Sequence, residues 1–228
     1  MSSEALWAYG RSSGVVSLLL FTLVAVLGIV ATSGRPVLGL SRTTLTRVHR
    51  SSAVLALLFL AVHVLTLTLD SYALLHVADW FLPFRAERDT FAYGLGTVAA
   101  DLVLVTVLSG ILRRWLPGRV FRWLHAAAYL SFGFGWFHSL LSATDGPEAW
   151  YMAVLAVSAL GVLAAGIWRL SPRFHQNAGS RRMALRGSAA ARTGASQLVG
   201  NGHGAVRQQA PAAQHSSLAR QGRLRRTP

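Results

Sequence analysis

Five apolar runs, at residues 15–33, 48–69, 93–112, 120–141 and 150–170, divide most of this 228-residue chain. Each is about twenty residues long, enough to cross a hydrocarbon core of about 30 Å at about 1.5 Å per helical residue. Composition agrees: 53% of residues are hydrophobic and 13% charged, where a soluble domain carries about a quarter charged residues. The expected fold class is an all-α integral membrane protein, a bundle of five transmembrane helices. The expected division is an external N-terminus at 1–14, the bundle at 15–170 and a disordered basic tail at 171–228. The first run reads as a retained helix. It is long for a signal-peptide core, little positive charge precedes it, and no Ala-x-Ala follows.

Two missing residue types narrow the chemistry. The absence of Cys excludes disulfides, thiolate metal sites, iron–sulfur clusters and covalent haem attachment. All 22 basic residues are Arg, so Lys-based Schiff-base chemistry is excluded as well. The net charge of +14 does not point to nucleic acid, because ten Arg and no acid fall after Leu170. That stretch, rich in Gly, Ala, Ser and Gln without apolar periodicity, reads as a disordered segment able to rest on anionic lipid headgroups.

Arginine placement orients the bundle. Arg35, Arg42, Arg47 and Arg50 lie between the first two runs. Arg113, Arg114, Arg119 and Arg122 lie between the third and fourth, and Arg169 and the tail follow the fifth. Only Arg11, Arg85 and Arg88 fall on the other side. The positive-inside rule then predicts a multi-pass protein of the cell membrane with the N-terminus outside and the C-terminus in the cytoplasm, which requires an odd number of spans. The outward stretch 70–90 mixes Trp80, Phe81, Pro83 and Phe84 with Asp79, Glu87 and Asp89, the composition of an ordered segment at the membrane interface.

Four histidines inside apolar runs carry the chemistry, since ionisable side chains are costly in a bilayer. His49 and His63 are 14 residues apart on the second run, nearly four turns, so both imidazoles share one face. His125 and His138 are 13 apart on the fourth. Both runs point the same way across the membrane, which sets His49 level with His125 and His63 level with His138. A lone histidine in such a helix is ordinarily a neutral imidazole bonded to a neighbouring helix. Four at matched levels fit two bis-histidine b-type haems better. Zinc or copper wants three or four ligands converging on one point. The 13-residue spacing turns a straight helix through about 220°, off one face; Gly133 and Gly135 between the two histidines offer a place for a bend.

The pattern of His49 and His63 followed by His125 and His138, with Arg113, Arg114 and the stretch Phe121-Arg122-Trp123-Leu124-His125 and then Tyr129, resembles the ferric reductase-like transmembrane domain. NADPH oxidases, ferric reductases and the haem subunit of bacterial periplasmic methionine sulfoxide reductase share that domain. The resemblance covers about 7–170 and implies that His49, His125, His63 and His138 are the axial ligands of two haem b groups. Full-length oxidases continue into a cytosolic domain for FAD and NADPH. Here the 58 residues after Leu170 show no strand periodicity and no Gly-x-Gly-x-x-Gly, so no nucleotide site is expected in them.

The function expected is that of an oxidoreductase membrane subunit. It would pass electrons from a cytoplasmic flavoprotein reductase or a quinol, through two haems, to an external acceptor. A haem-free membrane scaffold or anchor is the reading of a different class. Arg50 and Arg122 are candidate contacts for haem propionates, with Arg42, Arg47 and Arg119 in similar positions. Phe59, Phe132 and Phe134 fall between the two levels and would shorten the electron path. Asp101, well inside the third run, suits either a proton pathway or a hydrogen bond within the bundle. His76 and Arg85 in the outward loop could meet an electron acceptor, though loop residues need no such role, and His175, His203 and His215 in the tail do not form a metal site.

Overall fold

The computed structural model describes residues 3–33, 39–71, 73–143, 148–172 and 174, and isolated positions 183, 187 and 188. Among them are five long helices: α1 (Ser3–Thr32), α2 (Arg42–Leu69), α3 (Thr90–Ile111), α4 (Gly118–Leu141) and α5 (Ala149–Leu170). No strand occurs among the described residues. The chain divides into two units, 1–178 and 179–228, and the five helices belong to the first. The predicted tail, with His175, His203 and His215, lies almost wholly outside the described residues.

Local chemistry sets the helix ends. Ser41, extended at φ −66° and ψ 153°, accepts the Thr44 N–H on its Oγ and caps α2. α3 tightens into a 3₁₀ turn at Leu112–Arg114, and Pro117 then separates it from α4. α1 begins well before its apolar run, because 3–14 continue as helix, with Ser13 Oγ donating to the carbonyls of Tyr9 and Gly10.

Four helices, α1, α2, α3 and α5, are long and apolar enough to cross a membrane. α4 has the length, 24 residues, but Arg119, Arg122, His125 and His138 make it more polar. The expectation of five spans is therefore met by four on composition alone. Large apolar side chains point outward along the helices, among them Val54, Leu130 and Leu160, each more than 60% exposed. A lipid environment accounts for this arrangement.

In lipid, helices hold together by close packing of small residues and by hydrogen bonds. α1 packs along α2 and α3 along α4, while α5 lies against α1 and α4. Ser17 Oγ donates to the Ala56 carbonyl across the first pair, and Ser131 Oγ to the Ala99 carbonyl across the second. Leu18, Tyr151 and Leu155 form a core where α1, α4 and α5 meet, with Trp136 Nε1 donating to the Leu155 carbonyl and Tyr151 Oη to Ser139. The described residues of the connection between α2 and α3 make local contacts of their own. They include a 3₁₀ turn at Val77–Trp80, Asp79 is buried, and Trp80 Nε1 donates to Thr68 Oγ1.

Candidate functional site

α2 and α4 run parallel and present their histidines to each other at two levels. The ring centroids of His49 and His125 are 6.4 Å apart, and those of His63 and His138 6.2 Å. The ring planes are rotated by 63° and 73° within the pairs. The level-by-level pairing expected from sequence is thus present. α4 stays helical through Gly133 and Gly135, so the 13-residue spacing needs no break.

Each imidazole is tied to the helix behind it. His49 Nδ1 bonds the Val24 carbonyl at 3.0 Å and His63 Nδ1 the Gly10 carbonyl at 2.7 Å, both on α1. His138 Nδ1 bonds the Ala92 carbonyl on α3 at 2.8 Å. A carbonyl only accepts, so in all three Nδ1 carries the hydrogen and Nε2 keeps its lone pair. His125 Nδ1 meets Ser109 Oγ at 3.3 Å. The Ser109 hydroxyl proton goes to the Thr106 carbonyl at 2.6 Å, so here too the ring nitrogen donates. With each Nδ1 engaged, each Nε2 keeps a lone pair able to bind a metal, and a hydrogen bond on the other nitrogen is how proteins orient histidine for one.

Glycines make the close approach possible. A Cβ on Gly14 would come within 2.8 Å of His63 Nδ1, one on Gly96 within 2.9 Å of His138 Nδ1, and one on Gly28 within 3.4 Å of His49. Gly110 has nothing within 4 Å of the same position. The reading of histidines alone passes over these glycines, although Gly14 and Gly28 repeat the 14-residue separation of His49 and His63.

A haem fits this donor set. An iron held at about 2 Å by each Nε2, with ring centres roughly 1 Å further back, calls for centroids about 6 Å apart. Among the described residues no three His, Asp or Glu side chains converge, so each pair offers two donors. Arg50 and Arg122 are both exposed at the end of α2 and α4 that carries His49 and His125. Phe132 packs toward the α1–α5 core of Leu18, Tyr151 and Leu155, while Phe59 and Phe134 are half-buried. Asp101 is half-buried on α3 and belongs to neither pair. In the loop, His76 Nε2 lies 3.9 Å from Glu87 Oε1, both exposed, and Arg85 is exposed.

Comparison with protein families gives a match of residues 13–136, more than half of the chain, to the family described as ferric reductase like transmembrane component. The matched stretch contains His49, His63 and His125 and ends just before His138. Comparisons with curated proteins and with solved structures gave no match.

Proposed function

The chain belongs to the ferric reductase-like transmembrane family, and on that premise we propose that it is a di-haem b-type electron-transfer subunit of an oxidoreductase, with two haem b groups. The observation that carries this reading is the pair of facing imidazoles at each of two levels, every Nδ1 engaged and every Nε2 free. Bound haem iron supplies a one-electron change between ferric and ferrous states. The protein's part is to hold His49 opposite His125 and His63 opposite His138, and to fix the tautomer of each through α1 and α3. Arg50 and Arg122 are the proposed propionate partners at the first pair.

Five membrane crossings, with the N-terminus outside and the C-terminus in the cytoplasm of the cell membrane, follow from the arginine distribution. The antiparallel register of α4 on α3 supports a crossing by α4 despite its polarity: His138 reaches Ala92 near one end, and His125 reaches Ser109 near the other. In this orientation His49 and His125 form the cytoplasmic pair. The electron donor proposed is a separate flavoprotein reductase or a quinol, drawn to the basic face of Arg113, Arg114 and Arg119, and the acceptor is external. A nicotinamide gives two electrons as hydride while a haem iron takes one, so a flavin normally stands between them. Stopped-flow spectroscopy of the purified protein tests this: NADPH alone leaves the visible spectrum unchanged, and NADPH with an added flavin reductase yields reduced b-type bands. Rapid reduction by NADPH alone contradicts the proposal.

A further inference from the structure

The His125 imidazole differs from the other three. Its Nδ1 meets the Ser109 hydroxyl at 3.3 Å, with the Thr106 carbonyl also acting on the ring, where the other three bond carbonyls directly at 2.7 to 3.0 Å. A longer bond to a less basic oxygen holds the ring less firmly. The same ring is covered by Phe121, one turn earlier on α4, at a centroid distance of 5.0 Å and an interplanar angle of 19°. On the Phe121 ring rests the guanidinium of Arg113, its Cζ 4.1 Å from the centroid. At the other level the neighbouring ring is Tyr93, 6.4 Å from His138 and tilted by 57°. Among the described residues, Phe121 is the ring that lies nearly parallel on a site histidine.

We propose that Arg113 and Phe121 are positioning residues for the His49–His125 pair: the guanidinium–phenyl–imidazole stack fixes the plane of His125 and sets a permanent positive charge against that ligand, making this site electronically distinct from the His63–His138 site. The proposal rests on the di-haem reading. Phe121 adds a stacking restraint on the ring plane to the polar contacts that Ser109 and Thr106 make with the imidazole. The positive charge of the Arg113 guanidinium, held over the Phe121 ring that covers His125, favours the state that has gained an electron. Arg114 provides an internal comparison. It adjoins Arg113 and carries the same charge, but its guanidinium lies over Trp115 at 3.9 Å instead.

The test uses the full chain in detergent, in wild-type form and as Arg113→Gln, Arg113→Lys, Arg114→Gln and Phe121→Leu. Haem content is measured first, followed by spectroelectrochemical titration and low-temperature EPR of the ferric protein. In Arg113→Gln one of the two midpoint potentials is expected to fall while the other stays in place. Arg114→Gln should move it less, and Arg113→Lys should keep most of the wild-type value. Phe121→Leu should change the g-value spread of one low-spin signal, which reports ligand-plane orientation, and lower the same midpoint. Arg113 is exposed, so its variants answer the question even if Phe121→Leu fails to fold. Two haems with unmoved potentials in Arg113→Gln, or equal shifts in Arg113→Gln and Arg114→Gln, would overturn the proposal alone. A wild-type protein without haem would overturn the reading beneath it.

Discussion

Gly14 of α1 sits so close behind His63 of α2 that a Cβ at that position would lie 2.8 Å from the imidazole Nδ1. The same ring nitrogen bonds the Gly10 carbonyl one turn earlier on α1. A single turn of α1 therefore both holds the imidazole and leaves it room. Gly96 of α3 stands in the same relation to His138.

Gly14→Val and Gly96→Val should each push one histidine off its carbonyl partner and lower haem content from about two to about one per chain. Helical content by circular dichroism should not change. Gly110→Ala, where the added methyl meets nothing within 4 Å, should keep both haems. The pyridine haemochrome assay distinguishes these outcomes.

His63→Ala and His138→Ala should each remove one haem and leave the other, because a six-coordinate low-spin site needs both axial nitrogens. The double variant should lose no more than either single one, since both side chains serve one iron. Haem loss that doubles in the double variant would place the two residues at separate sites.

Much of this arrangement is legible in the sequence. The number and order of the helices follow from apolar runs, although α1 and α2 begin earlier than their runs do, and the pairing of His49 with His125 and of His63 with His138 follows from matched separations on parallel helices. The contribution of α1 and α3 is not legible in the same way. Whether Gly14, Ser109 or Phe121 touches an imidazole depends on the register between neighbouring helices, which spacing along one helix does not encode. The 13-residue separation on α4 also misleads when that helix is treated as an isolated straight rod. Both its imidazoles are positioned by partners on α3, at Ser109 and Ala92. The polarity of α4 that weakens its membrane signal comes in part from those same two histidines.

Gly94→Ala should disturb the loop between α2 and α3. A Cβ there would fall 2.1 Å from the Phe84 ring. Phe84 has a positive φ of 61° and stacks on Phe91, so the backbone has little freedom to yield. The expected result is faster proteolysis at residues 81–88 with both haems retained, read by limited digestion in detergent.

The proposed orientation predicts where reporters work. A reporter that functions only outside the cytoplasm should be active when inserted at Arg85 and silent when fused after Ser171. The reverse result would exchange the cytoplasmic and external assignments of the two histidine pairs without altering the pairs themselves.

Two bis-histidine haem sites built from four histidines fix the haem per chain in protein purified in detergent from a haem-replete host. About two b-type haems per chain are predicted, low-spin, with reduced bands unshifted by carbon monoxide because both axial positions are filled. Protein that folds with its full helical content and carries no haem would show that the paired histidines are not haem ligands.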